Sequence, residues 1–388
     1  YKLTSDLQEF VSFCGSKLSY TKKQLSSDVH IQAHDLLFEK GVNDPELELN
    51  FRNGKPYIFE HQCESNLNYD PFAAIFFFIS RYEEYMIHRK DSHQRFPADS
   101  SFSFENQILN KPVVDHWALE LLDVLLEQFP DLVYKKRKFK AVNTIDVDQA
   151  FSIKEKGLIR SSMILLRSLL SFKFSQFRQQ VSVLFGKSKD TYDTFSFIFN
   201  KTKLYPSIEH RFFVLLGEYG TYDKNIHPRK KAFKSLIKSM GDYAFVGIHP
   251  SYRSNESKAV LKEELLQLKQ LLHREIKSSR QHYLKLELPK TYRNLIDLGI
   301  TEDYTVGWAD VTNYFLTNNI SGAWAGSFFA NQGRWNELPE DLQTLFRVCC
   351  DQSHYYRQWW YWGGEADLRV NGPKMELTSI PDAEWATV

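Results

Sequence analysis

The alternation of apolar segments after Tyr192 constrains the fold of this 388-residue chain more than any other feature. Arg211–Gly217 (RFFVLLG) reads as a strand, Pro228–Met240 as a helix, Tyr243–Ile248 (YAFVGI) as a second strand, and Lys258–Ile276 as a strongly amphipathic helix. Arg280–Leu288, a helix opened by Pro289 (PKTYRNLIDLG) and Tyr304–Ala309 continue the series. Strands separated by helices pair in parallel, because the helix carries the chain back to begin the next strand from the same edge. The fold class predicted is α/β, and the spacing fits a (β/α) barrel.

Upstream, Ala141–Ala150 (AVNTIDVDQA) supplies the first strand of that series through Val142, Ile145 and Val147. Side chains in a strand alternate faces, so Asp146 and Asp148 point the same way. Neighbouring carboxylates repel unless a cation, a proton or a catalytic task accounts for them. The competing reading is that they begin a turn or cap the next helix. Functional groups in a barrel gather at the C-terminal ends of its strands. His249 follows YAFVGI, and Arg280 and His282 lie in RQHYL at the start of the next strand. Carboxylate and imidazole together suit a borderline cation such as Zn²⁺ with one position open for water. Taken singly, either histidine is more often structural.

The first part, Tyr1 to about Leu132, mixes short strands and helices, with a strand at Pro56–Glu60 (PYIFE). A helix with Asp70 as N-cap and Pro71 at its first position runs to His88, and a second from about Asp115 ends at Pro130. Asp115, His116 and Trp117 read as capping and packing residues. Tyr134–Lys140 (YKKRKFK) reads as a solvated linker. Ser161–Phe185 alternates apolar with basic residues at helical spacing, which predicts an amphipathic insertion packed on the protein's own core; a place on a membrane surface is the alternative.

The length allows two or three domains. A net charge of +1 argues against bulk attraction to nucleic acid or to an anionic membrane, and the longest apolar run, Phe72–Ile79, is far shorter than the roughly 20 residues of a membrane span, so no transmembrane segment is expected. Cys14, Cys63, Cys349 and Cys350 have no CxxC spacing and suggest a reducing compartment. With no signal-peptide pattern at the start, the expected location is cytoplasmic.

TIDVD, at Thr144–Asp148, resembles the TFDDG motif of the nodulation-protein (NodB) type polysaccharide deacetylases, with one residue inserted between the acids. These are metal-dependent carbohydrate esterases built on a deformed (β/α) barrel. The resemblance implies Asp146 as general base and Asp148 as metal ligand, although the inserted residue leaves the two roles interchangeable. HPSYR, at His249–Arg253, is similar to the family's HSxxH or HTxxH motif and carries His249 over as a ligand. Arg253 holds the place of the second histidine and cannot bind a cation. His282 is the candidate third ligand, and Arg280 matches the arginine of an RxPY motif that orients the base. DPFAAIFFFISRYEEY, RFPA, NKPVVDHWAL, YDTF, YDKNI, GIHPSYRS and LPKTYRNLIDLGITEDYTVGWAD look like a branch common in Bacteroidetes, in which the barrel follows an N-terminal domain of unknown function. That resemblance covers residues 1–310. It implies a divalent cofactor, zinc first, and an acetylated polysaccharide or oligosaccharide as substrate.

The composition then changes. Of 31 lysines only Lys374 follows Val311, and of 8 tryptophans 7 lie at Trp308 or later. From Val311 on there are 5 Lys and Arg against 9 Asp and Glu, a net of −4 that leaves +5 for the preceding part. DVTNYFLTNNISGAWAGSFF and HYYRQWWYWGGEADLRVNGPKMELTSIPDAEW resemble the C-terminal part of periplasmic solute-binding proteins of TRAP transporters, which bind small organic carboxylates. The organisation expected is an α+β domain over 1–135, an incomplete deacetylase-like barrel over 136–310 and a foreign α+β tail over 311–388, a chimera joined near Asp310. A deacetylase-like hydrolase is the leading reading; a solute-binding module and a non-functional fragment with an open sheet edge are the alternatives.

Overall fold

Asp6 accepts hydrogen bonds from the amides of Gln8 and Glu9 and so begins the first helix, α1 (Leu7–Ser12). The structure, a computed structural model, describes residues 2–136 and 141–305. Strands β1 (Leu18–Thr21) and β2 (Val29–Gln32) pair in parallel, and β3 (Asn50–Arg52) and β4 (Lys55–Tyr57) form an antiparallel hairpin. The hairpin turns on Asn53 and Gly54, both at positive φ, the pair of residues such a two-residue turn favours. Helix α2 (Pro71–Ile79) starts as the sequence predicts, with the Asp70 carboxylate accepting from the amides of Phe72 and Ala73. The same carboxylate accepts from the Tyr20 hydroxyl and the His34 amide, each at 2.7 Å, so one cap also ties β1 to the helix.

Two predicted boundaries fail here for a local reason. The helix stops at Ile79 and not at His88, because Arg81 adopts a left-handed conformation (φ 56°) and Tyr82–Tyr85 form a 3₁₀ turn that lays Tyr82 against Phe77. The strand predicted over Pro56–Glu60 stops at Tyr57, and Phe59 likewise sits at positive φ. Helices α3 (Phe102–Glu105) and α4 (Val113–Gln128) complete this part. Trp117 packs as expected: it is buried, and its Nε1 donates to the Pro56 carbonyl at 2.9 Å. Ile58, Tyr69, Phe77 and Ile108 close the core around it.

The remainder is an α/β arrangement in which β5 (Ala141–Val147), β6 (Ile208–Leu215), β7 (Phe245–His249), β8 (Ser278–Ser279) and β9 (Glu302–Asp303) form one parallel sheet in sequence order, curled as a half-barrel. Helices α5 (Leu158–Leu170), α6 (Phe174–Leu184) and α7 (Phe195–Leu204) lie between β5 and β6. Helix α8 (Lys231–Tyr243) leads to β7, α9 (Lys258–Leu272) to β8, and α10 (Lys290–Asp297) to β9. Phe212, Val214 and Ile248 of the sheet pack with Phe233, Ile237, Leu265 and Leu268 of the covering helices. Gly247 on β7 leaves no room for a side chain, since a Cβ there would lie 2.6 Å from Ser278 Oγ and 2.7 Å from Phe213.

Three expectations change. The strand predicted at Arg280–Leu288 falls at Ser278–Ser279, so RQHYL follows a strand and does not begin one. The strand expected at Tyr304–Ala309 lies earlier, at Glu302–Asp303, and residues 306–309 fall outside the described residues, as do 137–140 of the basic link. The insertion over Ser161–Phe185 is two helices broken where Phe172 turns left-handed (φ 55°), and its larger apolar side chains face outward and do not pack on the core. The tail, with its cluster Tyr355–Trp362 and both Cys349 and Cys350, also lies outside the described residues; Cys14 and Cys63 are free and exposed.

One buried acid predicts a pH dependence of stability. Glu264 on α9 is buried; its Oε2 accepts from the Ser251 amide at 3.0 Å, and its Oε1 has no hydrogen-bond partner among the described residues. Burial pushes its carboxyl up from 4.5 to about 7, with the charges of Asp223 and Glu263 adding to the shift and the Ser251 contacts opposing it. Between those values the folded chain keeps a proton that the unfolded chain has released. The stability is therefore full below the lower value and falls as pH rises towards the upper one, by on the order of 3 kcal/mol. Glu264→Gln keeps an acceptor for Ser251 without the ionisation. Thermal unfolding should show the variant matching the parent near pH 5 and exceeding it above pH 7; a gap independent of pH would contradict the assignment.

Candidate metal centre

The parallel sheet brings its functional side chains to one edge. Asp146 is the penultimate residue of β5 and Asp148 lies just beyond its end, on the face opposite the buried Val147. His249 ends β7, and Arg280 and His282 follow β8. The register pairs Val147 with Val214, Leu215 with His249 and Ile248 with Ser279, so these positions are neighbours along one rim.

Asp148, His249 and His282 each offer a ligand atom, and the three atoms lie within 4.8 Å of one another. His249 Nε2 is 3.2 Å from Asp148 Oδ1, and His282 Nε2 is 3.9 Å from Asp148 Oδ2. Both rings have their other nitrogen engaged: His249 Nδ1 donates to the Arg280 carbonyl at 2.5 Å, and His282 Nδ1 donates to Asp223 Oδ1 at 2.8 Å. Imidazoles fixed through Nδ1 present Nε2 to a cation, the usual arrangement behind a metal-binding histidine. Asp223 is itself buried and also accepts from the Tyr252 amide at 3.0 Å, so the ring of His282 is held from a rigid point. The donor set fits a divalent ion: one half-exposed carboxylate facing two buried imidazole nitrogens.

The electrostatics agree with that reading. Partial burial works to raise the Asp148 carboxyl, but the hydrogen bond and charge of His249, with the charge of His282, outweigh it and hold the group below the ordinary range. Burial works against the His249 imidazolium; the Asp148 hydrogen bond, the charges of Asp146 and Asp148 and the Arg280 carbonyl outweigh it and raise the group. A cation entering the site takes the place of the proton these groups share.

Asp146 belongs to a different contact. Arg280 Nη1 donates to its Oδ1 at 3.1 Å, while Arg280 Nε donates to the Tyr304 carbonyl at 2.9 Å and the guanidinium lies 5.2 Å from the centre of the Phe213 ring. The aspartate is thus aimed by an arginine that is itself fixed. Arg253 points elsewhere, donating to Glu218 at 3.0 Å with both side chains exposed.

Two features carry no sequence prediction. Asp223 is one, and its only trace is its place in YDKNI. The other is a cluster of rings beside His282, where Tyr222 stacks on Tyr252 at 4.0 Å and Tyr283 meets both at 5.5 Å. His93 joins them from the first part of the chain, 3.3 Å from the Tyr252 hydroxyl, and Arg95 Nη1 donates to the Tyr283 carbonyl at 2.7 Å. Tyr283 and Leu284 both take left-handed backbone (φ 59° and 51°), strain of about 1–3 kcal/mol each that the surrounding contacts hold in place.

The part that sends His93 and Arg95 to this rim has a counterpart among known families. Residues 1–130 match a family of unknown function, DUF7033. No curated protein and no solved structure matches the chain. His93 and Arg95 therefore fall inside the DUF7033 match, whereas Asp146, Asp148, His249, Arg280 and His282 lie beyond it. The matched segment supplies a wall of the ring cluster, and the half-barrel supplies the candidate metal ligands.

Proposed function

We propose that this chain is a metal-dependent hydrolase that removes N- or O-acetyl groups from a polysaccharide or oligosaccharide. The observation that carries the reading is the division of labour at the rim: Asp148 faces two imidazoles, and two residues away Asp146 faces a fixed guanidinium. Asp148, His249 and His282 would hold the cation, and mixed carboxylate and imidazole donors favour Zn²⁺. When bound, such an ion supplies a Lewis acid for the acetyl carbonyl.

The chain's own residues do the rest. Asp146, partly open to solvent and held by Arg280, takes a proton from the attacking water as a new C–O bond forms at the acetyl carbon. The bond from that carbon to the sugar nitrogen or oxygen then breaks, the leaving atom takes the proton held by Asp146, and acetate departs. Tyr222, Tyr252 and Tyr283 offer the apolar ring surface on which a sugar face packs. The resemblance of residues 1–310 to NodB-type deacetylases supports the same reading. The solute-binding alternative rests on residues outside the described part.

The test is release of acetate from acetylated chitooligosaccharides and acetylated xylan by the full chain. Activity should vanish on chelation and return with added zinc. Absence of acetate from both substrates with the metal loaded would sink the proposal.

A further inference from the structure

Between Glu155 and Asp190 the chain carries seven lysines and arginines and no aspartate or glutamate, although the whole chain is balanced at +1. This stretch is the α5–α6 hairpin. Its base is clamped by Asp190, whose carboxylate accepts from the amides of Ser152, Ile153, Lys154 and Tyr192 at 2.7–3.1 Å. The hairpin is ordered by these contacts, yet its faces are reversed relative to a helix that packs on a core. Leu158, Ile159, Met163, Leu170, Phe172 and Phe185 are 65–89% exposed. The buried side of α5 instead carries Ser161, whose hydroxyl donates to the Ile153 carbonyl at 3.2 Å, and Ser168, 2.9 Å from Gln180 Oε1 on α6.

At about 100° per residue, Leu158, Ile159, Met163, Leu166 and Leu170 fall in one arc of α5 and the two serines in the opposite one. Arg160 and Arg167 lie together along one border of the apolar arc. An apolar face bordered by cations, in a stretch with no acid, matches a helix lying in the boundary between lipid headgroups and acyl chains. A second copy of this chain would bring the same acid-free basic stretch against this face, which disfavours self-association. Anionic headgroups remove that repulsion. No helix of the described residues is long and apolar enough to cross a membrane, so the contact is interfacial.

We propose that the α5–α6 hairpin docks on an anionic lipid surface, its apolar face in the acyl boundary and its basic rim on the headgroup phosphates. The docked hairpin is joined to the metal rim through Arg160, which donates to the carbonyls of Lys224 and Asn225 at 3.0 and 3.3 Å and lies 3.8 Å from the centre of the Tyr219 ring. Those carbonyls belong to the two residues that follow Asp223, so the loop that orients His282 sits directly behind the lipid contact.

Flotation of the full chain with phosphatidylglycerol-rich vesicles, against pure phosphatidylcholine, tests it. The protein should float with the anionic vesicles and be released as salt is raised. A variant with Leu158→Gln, Ile159→Gln, Leu170→Gln and Phe172→Gln, and a second with Arg167→Glu and Lys173→Glu, should each bind about tenfold more weakly or worse while keeping the parent's melting temperature. Equal partition of parent and variants, or failure to float with anionic vesicles, would overturn the proposal. A dimer in lipid-free solution that the glutamine variant abolishes would assign the face to protein association instead.

Discussion

His249→Ala and Asp148→Asn are each expected to lower zinc affinity by more than about 100-fold, beyond the 10- to 100-fold that losing a mere orienting partner costs. Each removes one of three donors whose atoms lie within 4.8 Å, and the two left cannot close the coordination of a divalent ion. Arg253→Ala is the control, since that side chain pairs with Glu218 at the surface and should leave metal content unchanged. Metal analysis of the purified proteins, with calorimetric titration of zinc into the stripped forms, reads the effect. Equal metal content in all of them would remove Asp148 and His249 from the ligand set.

Asp146→Asn is expected to separate catalysis from binding. The amide keeps the shape of the side chain and an oxygen to accept from Arg280, and it cannot take a proton from water. Acetate release should fall by about 10²- to 10⁴-fold, the usual contribution of a positioned general base, with zinc content preserved. Initial rates measured beside metal content distinguish the outcomes. Retained activity would place the base elsewhere. Loss of metal together with activity would exchange the roles of Asp146 and Asp148, which the spacing of TIDVD leaves open.

The parts of the centre that were legible in the sequence were those attached to strong periodic signals. The strand Ala141–Val147 stood out because Val142, Ile145 and Val147 form a short apolar run with few breaks, and the alternation of side chains along a strand set Asp146 and Asp148 on one face. His249 could be placed because YAFVGI is an apolar run that ends on it. Arg280 and His282 were visible as residue types but misplaced along their strand: β8 is two serines, which carry no apolar pattern, and the next apolar residues drew the expected strand downstream. Asp223 was not legible as a partner of His282, because the two are 59 residues apart and the loop between β6 and α8 has no period to read. The end of α2 was hidden for another reason, since the left-handed residue that stops it is Arg81 and not a glycine. For α5 and α6 the spacing of leucines fixed that an apolar face exists; only the burial of Ser161 and Ser168 shows that it turns outward.

Arg280 meets the centre twice, through its guanidinium to Asp146 and through its main-chain carbonyl to the ring of His249. One residue therefore links Asp146 to the ring of His249. Changing the side chain at 280 can retune the first without releasing the second, because the carbonyl remains whatever residue stands there. Displacement of that stretch of backbone disturbs both together, so substitutions that shift the β8 exit should give non-additive losses when combined with changes at Asp146 or His249, while side-chain changes at 280 should add independently to those at His249. The exit of the short strand β8 is thus a shared bearing for two otherwise separate contacts.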